Sequence, residues 1–340
     1  MDWSCKIFVN ITFYKPEKVL KKTHHQCLYA YRHDGMFSRL LCFLNAIRLS
    51  EKLNLQRPVL FWERRPISGN QVHGYDSGFH EIFDVDQSWE VREIHESCDL
   101  DPAFGWDHMV GLEGESEAEV ISGLSKLSKE INLKNCPLKS LKGQKEKVKW
   151  VGVHCRAGDT DGYIEWLFQK GYPYSFWKFL FREHFLKRES AIFYLSSNDY
   201  RYKCLGKEEL GKGCLTLEDF LPGSSGNKCN LYSDFLDNLL FAKGFRIIGS
   251  ENSSFVRFAC LRGKNEPESP SNWISAHFWE AYVDLYKLWK SAYLSDIALL
   301  SGNSLQWRRT PDWLAKESYP VFELDRKLRN ASWQDRCFFS

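Results

Sequence analysis

The sequence predicts an α/β fold in two domains, and three observations lead there. The chain has 340 residues, and at about 150 residues per domain two domains packed across a cleft are expected. Residues 27 to 62 read as strand, tight turn, helix and strand, the start of a parallel sheet. From Trp150 to Gly249 strand-like and helix-like segments alternate again, which a second parallel sheet requires.

The first unit opens with the apolar run Cys27-Leu28-Tyr29-Ala30-Tyr31, closed by Arg32-His33-Asp34-Gly35. Leu40, Leu41, Leu44, Ile47 and Leu55 then recur at helical spacing, and Pro58 to Trp62 reads as a second buried strand. Pro66 to Gly78, rich in Gly, Ser and Asn, is expected as a ligand-side loop. The Lys-rich stretch before Trp150 marks a boundary, so residues 1–145 form an N-terminal domain and 146–300 a second one. Residues 301–340 are then an extension packing back on both. In the second domain Trp150 to His154 is a strand, Tyr174 to Phe185 a helix, and Ala191 to Ser197 a strand. Leu236 to Ala242 is helical, Phe245 to Gly249 strand-like, Phe255 to Leu261 helical, and Trp273 to Leu300 is expected as one or two long buried helices.

Composition removes several function classes. The 46 Lys and Arg nearly balance 44 Asp and Glu, so a net charge of +2 offers no overall field for nucleic acid or anionic membrane. Eleven Cys, odd in number and with no C-x-x-C pair, point away from zinc and redox work and toward a reducing compartment. No apolar stretch approaches the roughly 18 residues of a membrane span, and residues 1 to 20 lack a signal-peptide pattern. A cytoplasmic protein, or the soluble portion of a compartment-resident enzyme, is therefore expected. Three sequons at Asn10, Asn252 and Asn330 are short enough to arise by chance. The aromatic share of 15 %, with 13 Trp, suits core packing first and stacking surfaces second.

Three polar clusters stand at the ends of strands in one half of the chain. His154-Cys155-Arg156-Ala157-Gly158-Asp159 follows the first; the Arg156 guanidinium matches a diphosphate, and Gly158 admits close backbone approach. Ser196-Ser197-Asn198-Asp199 follows the second, offering groups that can read a base or ribose. Gly249-Ser250-Glu251-Asn252-Ser253-Ser254 leads into a helix, where hydroxyls and free backbone N–H groups suit phosphate oxygens. Each cluster alone is equally an ion pair or a helix cap. Strand ends of a parallel sheet gather on one side, which brings such clusters to a common edge.

These motifs resemble those of the GT-B fucosyltransferases, which include α1,6-, α1,2- and protein O-fucosyltransferases. His154, Arg156, Gly158 and Asp159 match a His-x-Arg-Arg-x-Asp motif, Ser196 to Asp199 a second motif, and Asp237 through Ser253-Ser254 a third. Gly35 and Arg39 match the family's amino-terminal Gly-rich turn, where Ser38 stands in place of Asn; Ala157 stands in place of the second Arg. The resemblance implies a GT-B-like pair of Rossmann-like domains with parallel sheets facing a central cleft, the first domain on the acceptor side and the second on the donor side. It implies an inverting transfer from GDP-fucose to a glycan or glycoconjugate, without metal or other cofactor. Arg156 would hold the β-phosphate, Ser253 and Ser254 the phosphates or ribose, and Asp199 with Asp237 the donor side; His154, Gly158, Ser197, Asn198, Gly35 and Arg39 complete the donor set. The base is expected among Asp159, Asp161 and Glu165, the carboxylates nearest Arg156 in sequence. Two alternatives stay open: a nucleotide-sugar or glycan-binding protein without catalysis, and a transferase for another nucleotide sugar.

Overall fold

The computed structural model describes residues 11–64, 77–86, 88–95, 103–138, 148–156, 177–178, 180–185, 191–197, 200–221, 231–250 and 253–270. In chain order come β1 (Ile11–Tyr14), α1 (Pro16–Leu20), β2 (Thr23–His24), β3 (Cys27–Tyr31), α2 (Met36–Lys52), β4 (Gln56–Glu63), α3 (Phe79–Ile82), β5 (Phe83–Asp84), β6 (Glu90–Ile94), β7 (Met109–Leu112), α4 (Glu117–Glu130) and β8 (Asn132–Leu133). They are followed by β9 (Trp150–His154), a π-helical turn at Phe181–Phe185, β10 (Ile192–Ser196), α5 (Tyr200–Leu210), β11 (Cys214–Leu215), α6 (Leu231–Phe241), β12 (Arg246–Ile248), α7 (Ser254–Gly263) and β13 (Pro267–Glu268). Two compact units divide the chain: residues 1–152, 217–247 and 253–267 form the first, and 153–216, 248–252 and 268–340 the second. The predicted segment Trp273 to Leu300, the extension 301–340 and nearly all of the loop from Pro66 to Gly78 lie outside the described residues.

The first unit is built on a sheet of order β2-β3-β4-β6. β3, β4 and β6 run parallel, with Tyr29 beside Val59 and Leu60 beside Val91, and β2 joins β3 as an antiparallel hairpin. The hairpin loop is His25–Gln26, both left-handed at φ 47° and 63°, the twist a two-residue turn needs. β4 is buried from Pro58 through Glu63, the unbroken burial of a parallel strand covered on both faces. On the far side of β3, Phe104 forms a parallel bridge to Ala30. The Tyr31 N–H donates to the Phe104 carbonyl at 3.1 Å and the Phe104 N–H to the Tyr29 carbonyl at 2.8 Å.

α2 packs on β3 and β4 and also meets α4 and α7. Because elements surround it, residues from Met36 to Ala46 are buried on every face, polar Arg39 and Asn45 included. Each buried polar group therefore has to find a partner. Phe37 sits among Phe235, Phe255 and Phe258, at centroid distances from 5.0 to 6.2 Å, and Trp62 among Phe43, Phe79 and Phe83. Much of the aromatic content is thus core. α4 ends against Arg262 of α7, whose guanidinium donates to the Ser128 carbonyl and, at 2.7 Å, to that of Ile131. This satisfies carbonyls that a helix end leaves bare.

A five-stranded sheet has the order β11-β10-β9-β12-β13. Its directions follow from bonds at strand ends. The Phe245 N–H, just before β12, reaches the carbonyl of Trp150, the first residue of β9. The Cys155 N–H, just after β9, reaches the carbonyl of Ser196, the last residue of β10. The Gly249 N–H, just after β12, reaches the carbonyl of Glu268, the last of β13. Start meets start and end meets end, so these strands are parallel, as β10 and β11 are by register. Gly152 lets α6 close on β9, since a Cβ there would stand 3.0 Å from the Phe241 ring and 3.1 Å from its carbonyl. In the second unit α5 lies close on β10 for the same reason: a Cβ on Gly206 would strike Leu195.

Candidate functional site

In the five-stranded sheet the chain places β9, β10 and β11 outward to one side and then returns to add β12 and β13 on the other. The reversal between β9 and β12 is a topological switch point, and ligands of open α/β sheets bind in the crevice beyond the carboxyl ends at such a point. In the second unit those ends are Val153 to Arg156 and Ile248 to Ser250.

Cys155 fixes this edge. Its N–H donates to Ser196 and its carbonyl accepts from the Ser197 hydroxyl at 2.6 Å. Both backbone polar groups of the residue before Arg156 are thus tied, one to the last residue of β10 and one to the residue after it, and Arg156 leaves the sheet half-buried. Burial raises the Cys155 thiol well above its ordinary pKa, so the sulfur is a neutral packing atom rather than a nucleophile. His154 is 2 % exposed. Burial first, and the Arg156 charge second, push its pKa down to about 3. A neutral imidazole beside the guanidinium leaves the positive charge on Arg156. Ala157, Gly158, Asp159, Asp161, Glu165, Asn198 and Asp199 lie outside the described residues.

The remaining predicted positions belong to the first unit. There Ser38, which stands in place of the family turn's Asn, meets the predicted position Ser254. The Ser38 hydroxyl, in the first turn of α2, donates to the Ser254 hydroxyl at 3.0 Å, and Phe37 packs edge-on against Phe255. The N-termini of α2 and α7 therefore meet. Neither N-cap residue supplies a capping bond: Gly35 has no side chain to offer, and Ser253, although only 7 % exposed, makes none. Two helix starts so placed bring the positive ends of two dipoles close together.

Arg39 is entirely buried and works within the fold. It donates to the carbonyls of Asp34 at 2.7 Å, Glu63 at 2.7 Å and His33 at 3.2 Å, with its guanidinium 5.2 Å from the Trp62 ring centre. It holds the β3–α2 turn, and so positions Gly35. Asp237 is buried on α6, where its neighbour Asn238 donates to the Phe255 carbonyl at 2.8 Å.

Among the described residues no three His, Cys, Asp or Glu side chains lie together as a metal site, and no helix is long and apolar enough to cross a membrane. No family model matches the sequence, and no curated protein matches it. Among solved structures the chain is similar to NodZ, an α-1,6-fucosyltransferase whose crystal was soaked with GDP-fucose. The identity is 13 % and the TM-score 0.40, over 70 % of this chain and 92 % of NodZ.

Proposed function

We propose that this chain is an inverting, metal-independent glycosyltransferase that moves fucose from GDP-fucose to a glycan hydroxyl. One observation carries the reading: Arg156 follows a parallel strand at a switch point, and both backbone polar groups of the residue before it are held, by Ser196 and Ser197. In the transfer, the bond between the sugar C1 and the β-phosphate oxygen breaks, its electron pair stays on the diphosphate, and the acceptor oxygen attacks C1 from the opposite face. A fixed guanidinium stabilises the charge that develops on the leaving diphosphate. The acceptor proton passes to a carboxylate, for which Asp159, Asp161 and Glu165 are the candidates. The family likeness gives phosphate or ribose contacts to Ser253 and Ser254 and donor contacts to Asp199 and Asp237; the two helix dipoles that start at Gly35 and Ser253 support an anion there.

The test is Arg156→Ala, which should lower turnover about 100- to 1000-fold while circular dichroism stays that of the parent. Ordinary turnover in that variant would dismiss the assignment, and loss of turnover in chelator would dismiss metal independence. Competition among GDP, UDP and ADP sugars in a thermal-shift assay identifies the donor. Ala157, at the place of the family's second Arg, favours one rival, a binding protein without catalysis. Calorimetric binding of GDP-fucose with no product from any acceptor would establish it.

A further inference from the structure

A nucleoside diphosphate carries more negative charge than one guanidinium neutralises. At the strand end that bears Arg156 no second cation follows: the next residue is Ala157 and the next basic one Lys170. The first unit offers a cation at the start of α7. Arg257 stands one turn after Ser254, and its N–H donates to the Ser253 carbonyl at 3.0 Å. Val256 and the run from Phe258 to Leu261 are buried, whereas Ser254 and Arg257 are half-buried and share the stripe that the core leaves uncovered. Side chains on a helix tilt toward its N-terminus, which carries Arg257 back over the helix start.

The two serines there are arranged for a ligand oxygen. Ser253 is only 7 % exposed, and its hydroxyl has no hydrogen-bond partner among the described residues; a polar group so deeply set is ordinarily satisfied. The Ser254 hydroxyl accepts from Ser38 at 3.0 Å, which leaves its own proton for another acceptor. Neither α2 nor α7 has an acidic residue in its first turn to offset the two dipoles. The wider surroundings are positive as well. Burial first lowers the pKa of His108, Asp107 opposes the fall, and the charges of Arg257, Arg32 and Lys18 add to it. Asp34 is the second carboxylate, 2.6 Å from Arg32, which also lies 3.3 Å from Asp107, so three cations face two carboxylates. A guanidinium has several N–H donors, and bonds within the protein leave others for a phosphate. We infer that Arg257 is the cation that holds a phosphate of the nucleotide at the start of α7, beside the Ser253 and Ser254 hydroxyls. The identity of that nucleotide rests on the transferase reading; the role of Arg257 goes beyond it.

The experiment is calorimetric titration of the full chain with GDP at low and high salt, for the parent, Arg257→Gln, Arg257→Lys and Lys126→Gln, the last removing an exposed charge on α4. Arg257→Gln should weaken GDP binding about tenfold and flatten its salt dependence. Arg257→Lys should fall between that variant and the parent, and Lys126→Gln should match the parent. Without nucleotide, the urea midpoint of Arg257→Gln should hold or rise, because a cation at a helix start opposes the dipole. A midpoint that drops, or a variant that does not fold, makes Arg257 a structural residue and overturns the inference. Equal weakening in Lys126→Gln reduces the effect to overall charge and overturns it too. Equal GDP affinity in the parent and Arg257→Gln overturns it while the transferase reading stands; no GDP binding by the parent removes both.

Discussion

Arg39 shows how one side chain can decide the shape of a loop. A buried guanidinium reaches three backbone carbonyls from three different nitrogens of one planar fork, a spread that lysine, with all its donors on a single atom, does not reproduce. Removing it strands those carbonyls in a region with little access to water. Arg39→Ala should therefore destabilise the protein by about 3 kcal/mol, and Arg39→Lys should recover only part of the loss. Urea unfolding measures both; a loss below that expected of an ordinary surface substitution would contradict this role. The motif marked the position, but strand and helix periodicity says nothing about where a long side chain ends.

At the scale of the element, α4 carries its own start signal. Ser116 and Glu119 form a reciprocal capping box, the Ser116 N–H donating to Glu119 at 2.8 Å and the Glu119 N–H to Ser116 at 3.3 Å. The Ser-x-x-Glu spacing is legible in the sequence as a helix start, and the helix that follows it is not among the predicted elements. Ser116→Ala should cost about 1 kcal/mol, read as a lower urea midpoint with unchanged activity, and Ser116→Asp should restore most of it. Elements with strong periodicity were recognised more readily. The predicted strand at Ala191 to Ser197 is β10, the helix at Leu236 to Ala242 belongs to the longer α6, and the helix at Phe255 to Leu261 is α7. Tyr174 to Phe185 proved less regular, its described end winding into a π-helical turn at Phe181–Phe185.

Across the whole molecule, buried neutral histidine makes stability depend on pH. His154 falls from the ordinary value of 6.5 to about 3 on folding, so between those limits the unfolded chain binds a proton that the folded one refuses. Stability is then full above pH 6.5 and declines as pH falls, by about 1.4 kcal/mol per pH unit for one proton. Burial lowers His108 too, in the same sense. Urea midpoints should drop from pH 7 to pH 5, and His154→Gln should flatten part of that fall. A midpoint that holds steady in the parent would show that the imidazole is not kept neutral by burial.

What the amino-acid order alone determined is the alternation of strands and helices and the polar clusters that follow them. Period and burial are local properties, so a run such as Trp150 to His154 announces a covered strand whatever lies beside it. Only the tertiary structure decided which strand ends become neighbours. Phe104 pairs with β3, bringing Arg32 to Gly105 across 73 residues of sequence, and Ser38 meets Ser254 across 216. Those meetings depend on which edges pair and which helices pack, and hydrogen bonds between such distant residues leave no period in the sequence from which to read them.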